Sequence, residues 1–314
     1  MKYSIIIPVY RGEKTIGPLF EKINDSFTKT GHSFHVVFVF DCGPDDSWHV
    51  LQELKQRYPE HITAIRLSRN FGQHNATICG FKYADGDFII TMDEDLQHDP
   101  EDIGLLISKQ KETNSDVVYG VYEERRHSFF RNSTSYILNR MLAIGVPDLN
   151  QNYTSFRLIR SRIAKEALKM NNSYTFLDGY LSWITKNVSS VQVRHSESLA
   201  GKSSYSLKKL VEHSINIFVT FSNLPIRFLT ITSIFILIGS IFYALYIFLR
   251  KIFFNDLISG FSTFAIMGGL GIGFILFALG IIGEYIQRIN LKTTRRPNFI
   301  EAEVLDTEVY HNEN

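Results

Sequence analysis

From Thr91 to Glu101 the chain reads Thr-Met-Asp-Glu-Asp-Leu-Gln-His-Asp-Pro-Glu, placing five carboxylates in positions 93–101. Such a run repels itself unless a cation counters it. In extended backbone Asp93 and Asp95 project to the same side, because the side-chain period of a strand is two. A hard divalent ion, Mg2+ or Mn2+, is commonly held by one or two carboxylates together with substrate phosphates. Asp93 and Asp95 are therefore candidate metal ligands and catalytic residues; the plainer alternative is a solvated acidic turn. A second candidate is Asp41, in Phe40-Asp41-Cys42-Gly43-Pro44-Asp45-Asp46-Ser47. Its carboxylate could accept the N–H of a base or a ribose hydroxyl, whereas Asp45 or Asp46 suits the N-cap of a helix starting near Trp48. The third candidate is Arg69, in Ser68-Arg69-Asn70-Phe71-Gly72-Gln73-His74-Asn75. It offers a charge to a diphosphate, and the helix start that follows adds backbone donors. A surface arginine is the alternative there.

All three stretches hold the same kind of position: each follows a short apolar run and precedes a helical pattern. Strands are expected at 4–9, 35–40, 62–67, 88–92 and 117–121. Helices are expected at 16–28, 47–58, 75–84 and 100–113, the first with Ile16, Leu19, Phe20, Ile23 and Phe27 on one face. That alternation predicts an α/β domain with right-handed crossovers and a mostly parallel sheet flanked by helices. Ligands of such sheets bind at the carboxyl ends of the strands. The rule selects the loops after Val9, Phe40, Leu67 and Met92. Residues 121–200 are less regular, with helical patterns near 129–143 and 161–169, and would complete an acceptor-side lobe.

The last third differs in character. Residues 228–249 run about 22 positions without a charge, and 257–283 about 27; about 20 apolar residues suffice to cross a bilayer. The expected organisation is a soluble domain (1–205), an amphipathic helix lying in the interface (206–225), two membrane helices (226–250 and 257–284) and a tail (285–314). The alternatives are a core-facing helix at 206–225 and a buried helical hairpin after it. Lys208, Lys209 and Arg227 precede the first span, and Arg288, Lys292, Arg295 and Arg296 follow the second. Only Arg250 and Lys251 lie between the spans. The positive-inside rule then places the domain and both termini on the cytoplasmic side of the membrane. Gly269 and Gly273 form a GxxxG that permits close helix approach and a homo-oligomer.

Composition removes other classes. The net charge is +1, which gives no field for nucleic acid. The two cysteines, Cys42 and Cys79, form no CxxC or Cys/His cluster, so neither a disulfide framework nor a zinc site is expected. The start, Met1-Lys2-Tyr3 followed by an apolar run broken at Pro8, reads as a buried strand rather than a signal peptide.

Six stretches, in order, resemble the inverting family-two glycosyltransferases of GT-A fold: IIIPVYRGEKTI (5–16), FDCGPDDSW (40–48), LSRNFGQHNA (67–76), GDFIITMDEDLQHDPEDI (86–103), SFRLI (155–159) and AGKSSY (200–205). The likeness is nearest to the polyprenyl-phosphate glycosyltransferases, the group of dolichol-phosphate mannose synthase and the bactoprenol glucosyltransferases, and runs through both apolar helices. It implies a UDP- or GDP-sugar donor, a polyprenyl phosphate acceptor and a divalent metal. It further implies that Pro8, Tyr10, Glu13 and Asp41 hold the nucleoside, and that Asp93 and Asp95 bind metal and sugar diphosphate. Arg69 and Asn70 would lie near the nucleotide, and Arg157 of SFRLI among the substrate-binding positions. Lys202 and Ser203 would face acceptor and membrane. The chain departs from the pattern at Phe40, where relatives carry a second acid, at Ser155, where many carry a proposed catalytic base, and at Ser198, where many carry arginine. Asp178 is a substitute candidate for the base. A lipid phosphate is already an anion and needs no base, whereas a sugar hydroxyl does; the loss of the acid at 155 thus favours a phosphate acceptor. The QxxRW signature of processive polysaccharide synthases is absent. The rival readings are transfer to a glycan hydroxyl and a silent nucleotide-sugar-binding membrane module.

Overall fold

The computed structural model describes residues 1–122, 150, 152–170, 172, 174–194, 220, 222, 224–254, 260–293 and 297–306. The helix expected near 129–143, Lys202, Ser203 and most of the stretch 206–225 lie outside them. The chain divides into two units, residues 1–214 with 297–314, and residues 215–296.

The first unit is a mixed eight-stranded sheet flanked by helices, the GT-A fold expected from the sequence. Its strands are β1 (Lys2–Val9), β2 (Ser33–Phe40), β3 (Ile62–Leu67), β4 (Phe88–Thr91), β5 (Val117–Tyr122), β6 (Arg157–Arg160), β7 (Val188–Val193) and β8 (Glu301–Leu305). Their order is β7-β5-β6-β4-β1-β2-β3-β8. β1 pairs in parallel with β2 and β4, and β2 with β3. Near-continuous burial along β1 and β2 reflects cover on both faces. The flanking helices are α1 (Ile16–Thr30), α2 (Ser47–Arg57), α3 (Gln73–Lys82), α4 (Ile103–Thr113), α5 (Ser161–Leu168) and α6 (Leu177–Ile184). α1 buries Ile16, Leu19, Phe20, Ile23 and Phe27, the face expected from their spacing. It stops at Gly31, whose φ of 66° takes the left-handed C-cap that glycine adopts without penalty.

Chain order reverses across β1: the link from β1 leads to β2 on one side, while β4 comes in on the other. A crevice opens at such a switch point, outside the carboxyl ends of the strands. β6 then runs antiparallel to β4 and sets Arg157 beside Thr91. The same strand opposes Arg157 to Tyr119 of β5.

The C-terminal stretch differs from the expected tail. Residues 301–305 form the edge strand β8, antiparallel to β3, because Glu-Ala-Glu-Val-Leu alternates partly covered and exposed positions as a half-buried strand does. Glu301 receives Lys82 Nζ at 3.0 Å and Tyr83 OH at 2.9 Å. Thr63 donates to Asp306 at 2.8 Å.

The second unit contains α7 (Leu224–Phe254) and α8 (Phe261–Thr293). Each includes a segment long and apolar enough to cross a membrane: Ile226–Arg250, with mean hydropathy 2.2, and Gly271–Asn290, with 1.6.

Candidate active site

Four loops at the carboxyl ends of β1 to β4 are tied to one another by side chains. In the first pair, Gly12 N–H donates to Ser47 Oγ at 2.9 Å, and Ser47 donates to Asp45 Oδ1 at 2.7 Å. Glu13 N–H donates to the other Asp45 oxygen at 3.2 Å. Asp45 is thus a cross-loop tie. Asp46 occupies the N-cap position of α2 but accepts no capping bond, so neither acid caps as expected. Gly43 packs so tightly that a Cβ would fall 1.5 Å from the Tyr10 carbonyl oxygen; only glycine admits that approach. Tyr10 N–H and Arg11 N–H in turn donate to Glu94 Oε1, at 3.2 and 3.3 Å.

Asp41 is buried, and its two oxygens accept Phe71 N–H at 2.7 Å and Gly72 N–H at 2.8 Å. Burial pushes its carboxyl above the ordinary range, against the lowering effect of the two amides. Its visible work is therefore to shape the 68–72 loop, on which Arg69 and Asn70 are exposed. Arg69 lies over the Phe71 ring at 4.7 Å. Ser68 N–H donates to the Ile300 carbonyl at 2.8 Å, so the approach to β8 steadies the same loop.

The acidic loop after β4 is folded back on itself. Gln97 N–H donates to Asp95 Oδ1 at 3.0 Å. Leu96 takes a left-handed φ of 64°, at a cost of about 1–2 kcal/mol for a residue with a Cβ. Asp93 Oδ1 accepts Gln73 Nε2 at 2.5 Å, and Oδ2 accepts Ser155 Oγ at 2.7 Å. Ser155, at the position where the resemblance implies an acid, thus serves as a donor to Asp93. Burial raises the Asp95 pKa, and the neighbouring Asp93 charge adds to it. Burial, then the charges of Asp93, Asp95 and Asp102, hold the Tyr122 hydroxyl well above its ordinary value. Among the described residues no group of three or more His, Cys, Asp or Glu side chains converges on a metal-sized site. A divalent ion held by one or two carboxylates takes its remaining ligands from water and substrate phosphates; Asp93 and Asp95 are the residues of this loop that would hold one.

Beside Asp93 lies a cavity of about 170 Å³, lined among others by Pro8, Gln73, His74, Ser155, Arg157 and Asp178. Of the residues singled out in the sequence, Pro8, Asp93, Arg157 and Asp178 meet there. Tyr10, Glu13, Asp41, Arg69 and Asn70 sit on the adjoining loops. Arg157 and Asp178 are each 3% exposed and form an ion pair. Tyr119 OH donates to the same Asp178 oxygen at 2.9 Å, and Arg157 Nε donates to Thr91 Oγ1 at 3.0 Å. Gln73, Ser155, Tyr119 and Tyr122 were not singled out as site residues. They act through partners distant in sequence: the register of β4, β5 and β6 brings in Ser155, Tyr119 and Tyr122, and the start of α3 brings in Gln73.

The GT-A fold, with a cavity at the carboxyl ends of its parallel strands, is that of a glycosyltransferase. The chain belongs to glycosyl transferase family 2, whose pattern matches residues 4–172. It is 32% identical over 303 residues to YkcC of Bacillus subtilis, described as an uncharacterized glycosyltransferase, covering 96% of this chain and 93% of that one. Among solved structures it is similar to glucosyl-3-phosphoglycerate synthase from Mycobacterium tuberculosis. The complex of that protein with phosphoglyceric acid has a TM-score of 0.51, and the complex with Mn2+, UDP-glucose and phosphoglyceric acid 0.50. Identity is 14% in both, over 70% of this chain and 78% of that one; the likeness is one of fold.

Proposed function

We propose that this enzyme transfers a sugar, with inversion, from a UDP- or GDP-sugar to polyprenyl phosphate at the cytoplasmic face of a membrane crossed by α7 and α8. The observation that carries the reading is the state of the two carboxylates lining the cavity. Asp178 is committed to Arg157 and Tyr119, and Asp93 to Gln73 and Ser155. The ion pair holds Asp178 in its charged form, and the two bonds to Asp93 do the same, which disfavours either as a base for the acceptor. A phosphate monoester, with a second pKa of about 6, brings its own charge. Its oxygen attacks the anomeric carbon as the bond to the nucleoside diphosphate breaks, and no proton moves.

Asp93 and Asp95 would hold Mg2+ or Mn2+, which when bound neutralises charge developing on the departing diphosphate. The Mn2+ and UDP-glucose of the mycobacterial complex agree with that role. The 41–46 and 68–72 loops would receive the nucleoside, with Arg69 beside the diphosphate. A second reading keeps the donor but changes the acceptor: His74 also lines the cavity and would serve as base for a glycan hydroxyl.

The test is transfer by the purified full chain in detergent, from labelled UDP- and GDP-sugars to undecaprenyl phosphate with Mn2+ or Mg2+. Label from one donor should enter the organic phase. Donor turnover that depends instead on a glycan, with nothing entering lipid, would overturn the acceptor assignment.

A further inference from the structure

We propose that His98 is a positioning residue for the metal-binding carboxylates, holding Asp93 in place through the Asp93 backbone N–H. The inference rests on the reading of Asp93 and Asp95 as metal carboxylates. The loop from Asp93 to His98 reverses direction, with Leu96 left-handed at the turn, so the sixth residue returns to the first. There Asp93 N–H donates to His98 Nδ1 at 3.1 Å. The ring is 4% exposed and has two stacking partners. It stacks on Phe156 at 5.1 Å and 15°, and on Tyr122 at 5.9 Å and 7°. Stacking fixes the ring plane, and the ring plane aims the acceptor.

The arrangement spans both halves of the site. Phe156 stands between Ser155, which donates to Asp93, and Arg157, which pairs with Asp178. Tyr122, the second stacking partner, ends β5. The imidazole thus registers the carboxylate loop against β5 and the approach to β6. With Nδ1 accepting, the ring's N–H is at Nε2. Two substitutions separate the acceptor from the stack. His98→Phe keeps the flat ring but gives the Asp93 N–H nothing to donate to. His98→Asn places Oδ1 where Nδ1 stands and gives up the stack.

The experiment measures Mn2+ affinity of the full-length variants in the presence of UDP without acceptor, by electron paramagnetic resonance of free Mn2+. Thermal unfolding is followed alongside. His98→Phe is expected to weaken Mn2+ binding about 10–100-fold, the usual effect of losing a supporting partner of a metal ligand. His98→Asn should recover most of that loss. Wild-type affinity in His98→Phe overturns the proposal, and so does a folded His98→Asn protein that binds Mn2+ as poorly as His98→Phe. If His98→Phe does not fold, the Asn variant decides alone: near wild-type affinity supports the acceptor role, and its loss overturns it. Wild-type protein that binds no Mn2+ with UDP would sink the metal reading itself, a result distinct from a difference between variants.

Discussion

Replacing Asp178 with alanine removes one partner of an ion pair whose members are both 3% exposed. Arg157 then keeps a buried charge with no counter-ion, and breaking such a pair on one side costs about 3–5 kcal/mol. Tyr119 OH also loses its acceptor, part of the same loss rather than an addition to it. For a domain of this size, each kcal/mol lowers Tm by about 2–4 °C, so the expected fall is about 6–20 °C. The assay is thermal unfolding of the full chain in detergent, read from the fluorescence of Trp48 and Trp183. Removing both charges, as Arg157→Leu with Asp178→Leu, should recover part of the loss. Their coupling should lie toward the upper end of the roughly 0.5–3 kcal/mol seen between contacting residues. An Asp178→Ala protein with wild-type Tm and abolished transfer would refute the reasoning. The carboxylate would then be a working base rather than half of a structural pair.

Gly43→Ala should set a methyl group against the Tyr10 carbonyl, with only 1.5 Å available. The expected cost is about 1–3 kcal/mol, with weaker UDP binding by calorimetry because two nucleoside loops must part. Burial lowers the His35 pKa below its ordinary 6.5, outweighing the raising effect of Asp85. Its stabilising contribution is therefore complete above about pH 6.5 and is lost as pH falls through the depressed folded-state value. His35→Gln, which retains a donor toward Thr63 Oγ1, should flatten the acid side of a urea-midpoint titration. Ending the chain after Phe299 should uncover the edge of β3 and free Ser68 N–H. Increased light scattering and weaker nucleotide binding are the expected readouts.

The parallel half of the sheet was legible because its strands are apolar runs of ordinary length between amphipathic helices. β1 to β5 fall within two residues of their expected bounds at each end. β6 escaped because four residues, Arg-Leu-Ile-Arg, show no period. β8 escaped because it follows a long apolar helix, where a polar segment reads as tail. Asp93 and Asp95 were visible as a motif at a strand end. Gln73, Ser155 and His98 lie in the stretches that carry the family resemblance, but nothing in their types or spacing shows that they bond to Asp93. Asp178 was visible as an acid near the site, but its ion pair with Arg157 was not, since the two meet only in the folded chain.

The central claim is that the acceptor supplies its own negative charge. The direct measurement compares undecaprenyl phosphate with undecaprenol, the same lipid bearing a hydroxyl, under identical donor, metal and detergent. Transfer should occur to the phosphate and be undetectable with the alcohol between about pH 6.5 and 8, where the phosphate is largely a dianion. Comparable transfer to undecaprenol would contradict the account and require a proton acceptor in the cavity, with His74 the first residue to replace.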